Sequence, residues 1–231
     1  MATHRFDVVF LDAGGVLVCP DPVQIVGRFA DAGLAADGDR LFEAHFRAVK
    51  AMDEAPADED GYGAYYRTYV DALGLKDRDA EQGIEVLTDV WATSSVWTAP
   101  LPWAASGLTA LAATGLPIVI VSNADGTVAE MLASSAVCQV GDGDGTPVTH
   151  VIDSTAVGVA KPDPRIFELA LEVVGVSPDR AVHVGDAYRF DVLGARAANV
   201  HPVLMDPLDI RRDVDCTRIG SLDHLMDVLA S

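Results

Sequence analysis

Three short runs of aliphatic and β-branched residues stand out from the polar background of the chain: Phe6–Leu11, Ile118–Val121 and Ala181–Val184. Each is close to continuous, the pattern of a strand covered on both faces in a parallel sheet. Val148–Ile152 and Val200–Leu204 show the same character more weakly. Helical patterns fall between these runs. Leu108–Thr114 precedes the second run and stops at Gly115, and Val128–Ser134 follows it. Ile166, Phe167, Ala170, Leu171 and Val174 recur at helical spacing, with Asp163 as the predicted N-cap and Pro164 in the first turn. Alternation of strand and helix with short connections predicts an α/β fold built on a doubly wound parallel sheet.

The stretch from Val18 to Trp97 breaks this rhythm. It has no strand pattern, only helical ones at Val23–Ala32, Leu41–Met52, Tyr62–Leu73 and Glu81–Trp97. Pro100 and Pro102 punctuate the segment that follows. The expected organisation is a core domain of residues 1–17 and 98–231, interrupted by a helical cap domain of residues 18–97. No internal repeat is visible. Asp53-Glu54 and Asp58-Glu59-Asp60 read as a solvated acidic loop.

Composition narrows the function. Sixteen Lys and Arg face 35 Asp and Glu, a formal net charge of −19. That balance argues against a nucleic acid or an anionic membrane as partner, since both demand clustered positive charge. A small-molecule substrate and a monomer or homodimer are the expected partners. The three cysteines, Cys19, Cys138 and Cys216, have neither disulfide-framework nor zinc-site spacing, which suits a reducing cytoplasm. No signal peptide is expected, because Asp7 and Asp12 interrupt the N-terminal apolar stretch, and Leu116–Val121 is too short to span a bilayer.

Four polar elements fall at the carboxyl ends of predicted strands, where an open α/β sheet binds its ligands. They are Asp12, followed by Ala13-Gly14-Gly15; Ser122-Asn123; Lys161 within Gly158–Pro164; and Gly185-Asp186 with Asp191 five residues on. Together they supply carboxylates, an ammonium and a hydroxyl. Asp12 and Asp186 can share Mg²⁺, a hard cation that takes oxygen ligands. A carboxylate can also attack phosphorus and form an aspartyl phosphate. Lys161 and the metal would bring the local positive charge that an acidic protein needs to handle phosphate.

In this order, these motifs resemble those of the haloacid dehalogenase (HAD) superfamily over nearly the whole chain. The resemblance rests most on Asp12–Leu17, Ser122-Asn123, Val157–Phe167 and Val184–Ala198. It implies a Rossmann-like core with a cap inserted after the first strand. It also implies roles: Asp12 as nucleophile, Ser122 with Asn123 and Gly15 as the phosphate-binding set, and Lys161 stabilising the intermediate. Mg²⁺ would be held by Asp12, Asp186, the Gly14 carbonyl, and Asp191 directly or through water. Family phosphatases generally carry an aspartate where this chain has Gly14, to protonate the leaving group. General acid help of that kind is worth on the order of a hundred- to ten-thousandfold. Asp21 or water is the expected replacement.

The expectation is therefore a Mg²⁺-dependent phosphatase acting on a small phosphorylated metabolite. A 2-haloacid dehalogenase is the alternative. It needs no leaving-group acid, but such enzymes typically lack the acid at Asp186 and carry an aromatic residue at Gly14. A phosphonate hydrolase would need a cap lysine; Lys50 is placed for it, although a surface lysine is the default. A non-catalytic binding module is disfavoured by the joint presence of Asp12, Lys161 and Asp186. Elsewhere the defaults are structural. Tyr62, Tyr65, Tyr66 and Tyr69 read as cap core or a dimer surface. His45 and Arg47 read as a solvated helix face, and His183 as a core histidine. Asp142-Gly-Asp144-Gly reads as a polar turn, since Pro147 stands where a calcium loop needs glycine.

Overall fold

The apolar run at the N-terminus forms the centre of a sheet, with Val8, Val9, Phe10 and Leu11 all fully buried. The computed structural model describes residues 5–56, 61–91 and 96–230. Strand β1 (Val8–Leu11) and the short β2 (Val18–Cys19) lead into helices α1 (Pro22–Asp31), α2 (Leu41–Asp53), α3 (Tyr62–Ala72) and α4 (Asp77–Trp91). Strand β3 (Ala99–Pro100) is followed by α5 (Ala104–Thr114), β4 (Ile118–Ser122), α6 (Val128–Ser134), β5 (Cys138–Val140), β6 (Thr146–Val148) and β7 (His150–Asp153). The chain then runs through α7 (Ser154–Val157), α8 (Arg165–Val174), β8 (Ala181–Gly185), α9 (Leu193–Ala197), β9 (His201–Met205), β10 (Thr217–Ile219) and α10 (Leu225–Ala230).

The chain divides into two compact units, one of Met1–Val18 with Pro100–Ser231 and one of Cys19–Ala99. In the first, a six-stranded sheet has the order β10-β9-β8-β1-β4-β7, and its strand pairings are parallel. Counted along the chain, this is the 3-2-1-4-5-6 order of doubly wound sheets, with the direction of winding reversing between β1 and β8. One face is sealed by α8, whose Ile166, Phe167, Ala170 and Leu171 pack with Val8, Phe10, Val119 and Val121. The alternate residues Val9, Leu11 and Ile120 are equally buried on the other face. Because both faces are covered, the strands read as continuous apolar runs.

The second unit is helical. Tyr65 and Tyr69, four residues apart on α3, are buried against Trp91, and Trp91 in turn packs on Trp97. Tyr62, on a different part of α3, is exposed. His45 departs from the expected solvated face: it is 3% exposed, its Nδ1 lies 3.1 Å from the Tyr65 hydroxyl, and its ring packs on Trp97. An imidazole has an apolar body, and here an aromatic cluster buries it. Arg47 is exposed and pairs with Glu43 at 2.6 Å.

Other departures are local. Val148–Ile152 is not one strand: Val148 ends β6 in a small parallel ladder with β5, and only His150–Asp153 joins the main sheet. Apolar runs do not show where a chain changes sheets. Helix α8 begins at Arg165 with Pro164 as its N-cap, one residue later than expected, although Asp163 still accepts from the Arg165 N–H at 3.0 Å. Helix α4 starts four residues before Glu81 and is described to Trp91. Residues 92–95 of that predicted helix, and Asp58-Glu59-Asp60 of the predicted acidic loop, lie outside the described residues. Asp53 closes α2. Asp142 and Asp144 lie in the exposed turn between β5 and β6. No described helix is long and apolar enough to cross a membrane.

Candidate active site at the switch point of the sheet

Strands β1 and β8 run side by side with Leu11 opposite Val184 and Phe10 opposite His183. Their ends therefore deliver Asp12 and Asp186 together at the crevice where the winding reverses, and the Asp12 N–H donates to the Val184 carbonyl at 2.9 Å. Glycine makes the approach possible. Gly15 has φ +66, and a Cβ there would lie 2.0 Å from Asp186 Oδ2. A Cβ on Gly185 would lie 2.0 Å from Asp191 Cγ. Any larger side chain at either position would push a carboxylate out of place.

Lys161 is the hub. Its ammonium lies 2.8 Å from Asp12 Oδ2 and 2.7 Å from Asp191 Oδ1, and it is almost wholly buried. Asp191 Oδ1 also takes a hydrogen bond from His183 Nε2 at 2.9 Å, and its Oδ2 accepts from the Ala187 N–H at 3.0 Å. An acceptor already holding Lys161 requires the histidine to donate, so the proton sits on Nε2. Asp12 Oδ1 accepts from the Ala13 N–H at 2.7 Å, leaving this carboxylate partly open at the mouth of the cluster.

The electrostatics are lopsided. Burial pushes the Asp12 carboxyl up to about 7, opposed by Lys161 and reinforced by the negative charge of Asp191 and Asp186. Burial also works against charge on Lys161, but Asp12 and Asp191 outweigh it and hold the ammonium above its usual range. Asp191 goes the other way: burial is overcome by Lys161 and His183, and its carboxyl stays below the usual range. Burial lowers His183. Oxygens from Asp12, Asp186 and Asp191 lie within 4.8 Å of one another. Three carboxylates against one ammonium leave an excess of negative charge and an all-oxygen donor set. Both fit a hard divalent cation.

Ser122 ends β4, buried and paired opposite Asp153 of β7. Asn123 turns its amide to the Lys161 backbone. Its Nδ2 donates to the Lys161 carbonyl at 3.0 Å, and its Oδ1 accepts from the Lys161 N–H at 2.8 Å. Its side chain thus sets the position of Lys161. Gly14 carries no side chain and forms an isolated bridge with Val18. Asp21 caps α1, accepting from the N–H groups of Val23 at 2.8 Å and Gln24 at 3.2 Å. Lys50 pairs with Glu54 one turn along its own helix.

Several supporting residues escaped the sequence reading. Asp153 accepts from the N–H groups of Gly126 and Thr155, which ties the loop after Ser122 to the start of α7. His183 lies in the core as expected, and there it also bonds Asp191. Its only sequence signal is its position three residues before Asp186. Arg211 has no sequence signal; it donates to the Asp186 carbonyl at 2.6 Å.

A family profile described as haloacid dehalogenase-like hydrolase matches residues 6–199. The chain belongs to this hydrolase family. It is 30% identical over 226 residues to haloacid dehalogenase-like hydrolase domain-containing protein 3 of Bos taurus, covering 91% of this chain and 87% of that protein. A phosphoserine phosphatase of Thermus thermophilus is 42% identical over 87 residues, 36% of this chain and 34% of its own. A dehalogenase crystal structure with an intermediate complex superposes at a TM-score of 0.61 with 20% identity, covering 99% of both chains. At that identity the likeness speaks for the fold. This hydrolase thus shares its architecture with a dehalogenase and a stretch of its sequence with a phosphatase.

Proposed function

We propose that this hydrolase is a Mg²⁺-dependent phosphatase that acts on a small phosphorylated metabolite through an aspartyl phosphate on Asp12. The observation that carries the reading is the retained acid cluster, Asp12, Asp186 and Asp191 within 4.8 Å of one another. Displacement of halide from carbon calls for no cation, whereas a phosphoryl group with charged oxygens does.

Asp12 and Asp186, with the Gly14 carbonyl, would hold the ion directly. Asp191 already receives Lys161, His183 and the Ala187 N–H, so it would act through water. When bound, Mg²⁺ supplies charge neutralisation for the phosphoryl oxygens and keeps Asp12 ionised. The Asp12 carboxylate attacks phosphorus, the phosphorus–oxygen ester bond breaks, and the leaving oxygen departs with the electron pair. Lys161 balances charge on the pentavalent phosphorus. Ser122 would hold a phosphoryl oxygen; the Gly15 N–H, expected to share that task, already donates to the Val18 carbonyl at 2.9 Å. Water then attacks phosphorus and frees Asp12. Gly14 offers no acid and the Asp21 carboxylate is occupied as a helix cap, so the leaving oxygen takes its proton from water. The three free cysteines suit a reducing cytoplasm.

One screen tests the reading: phosphate release from phosphate esters and halide release from 2-haloacids, each with Mg²⁺ and with chelator. Phosphate release that stops with chelator is expected. Halide release indifferent to chelator would replace phosphatase by dehalogenase, a reaction that needs no leaving-group acid at Gly14. Without a leaving-group acid, the phosphatase rate should also fall steeply as the leaving-group pKa rises; a flat dependence would point to a hidden acid.

A further inference from the structure

We infer that Arg211 is a positioning residue for the Asp186 carboxylate, and that Asp206 sets Arg211 in place. The inference rests on Asp186 being a metal ligand, as proposed above. Arg211 lies outside every motif that suggested the function, in the loop after β9. It is 4% exposed. A buried guanidinium is costly unless its donors are met. One of them meets the backbone: its Nη1 donates to the Asp186 carbonyl at 2.6 Å.

The loop is built to deliver that contact. β8 and β9 are parallel neighbours with Gly185 opposite Leu204, so Asp186 and Asp206 leave adjacent strand ends. Asp206 is buried, and its carboxylate accepts from the N–H groups of Ile210 at 3.1 Å and Arg211 at 3.0 Å. Arg218 Nη1 also donates to this carboxylate at 2.6 Å, on the same Oδ2 that accepts the Arg211 N–H. The turn is thereby locked, and the Arg211 side chain reaches back to the Asp186 peptide. Two effects follow. The peptide between Asp186 and Ala187 is clamped, which aims the Asp186 side chain at Gly15. A permanent positive charge also stands behind a cluster in which three carboxylates face one ammonium. Lysine would keep the charge but lose the planar fork.

The test is direct Mn²⁺ binding, by electron paramagnetic resonance of the free ion, to the wild-type protein and to Arg211→Gln, Arg211→Lys and Asp206→Asn. Circular dichroism and thermal melting in chelator accompany each variant. Arg211→Gln should weaken Mn²⁺ binding by about 10–100-fold. In phosphate ester hydrolysis it should raise the Mg²⁺ concentration for half-maximal rate by a similar factor, with kcat at saturating Mg²⁺ far less affected. Arg211→Lys should recover part of the loss, and Asp206→Asn should show a smaller loss of the same kind. If Arg211→Gln does not fold, Arg211→Lys against wild type carries the same expectation. Wild-type affinity in the Arg211 variants, with only the melting temperature lowered, would reduce Arg211 to a structural role and overturn the inference alone. Absence of Mn²⁺ binding by the wild-type protein would overturn both the inference and the metal reading beneath it.

Discussion

Both units bury an apolar core, but among the described residues the buried Asp, Lys and Arg side chains all fall in the sheet unit. At the carboxyl edge of the parallel sheet, Lys161, Asp191, His183 and Arg211 are buried ionisable groups held by short polar contacts. In the helical unit, Tyr65, Tyr69, Phe46 and Phe29 fill the interior, while pairs such as Lys76–Asp71 and Arg47–Glu43 stay in water. Buried charge is costly, and it is tolerated at the sheet edge only because each group has a partner. The helical unit has the economy of an ordinary core. The proposed chemistry therefore falls where the fold bears an electrostatic cost.

The contrast can be broken by substitution. Asp12→Asn should have the largest effect, a loss of phosphate ester turnover of at least ~10⁴-fold, about 5 kcal/mol of transition-state stabilisation, read by steady-state kinetics. Next is Lys161→Met, which strands two buried carboxylates. Chemical denaturation should show a stability loss of about 3–5 kcal/mol, less if Asp12 takes up a proton. Tyr69→Phe is smaller and opposite in sign. The Tyr69 hydroxyl is buried with no partner among the described residues, so its removal should leave stability unchanged or raise it by about 1 kcal/mol. Lys76→Met should change stability by no more than ~0.5 kcal/mol, because its ion pair is exposed. If Lys76→Met cost as much as Lys161→Met, the contrast between the units would collapse.

The same contrast explains what could be read from the sequence. Asp12, Ser122 and Asp186 were legible because each lies at the end of an apolar run, and parallel strands must end at the same edge; Lys161 comes instead from the loop between α7 and α8. The contacts between them were less so. The bond between His183 and Asp191 depends on the turn after β8, and that of Asn123 to Lys161 spans 38 residues. Arg211 reaches Asp186 only because β9 lies beside β8, an order that hydrophobic pattern does not encode. The split of Val148–Ile152 between two sheets was hidden for the same reason. In the helical unit the periodicity locates the helices, yet His45 is buried rather than on a solvated face. A residue of intermediate polarity takes its environment from aromatic neighbours such as Tyr65 and Trp97, distant in sequence.

The central claim is covalent: phosphorus passes through Asp12. Rapid acid quench of the enzyme turning over a ³²P-labelled phosphate ester in Mg²⁺, followed by peptide mass spectrometry, tests it most directly. The account predicts label on the peptide that carries Asp12 and none on the Asp12→Asn protein. Label on a different residue, or Asp12→Asn turning over at the wild-type rate, would contradict it.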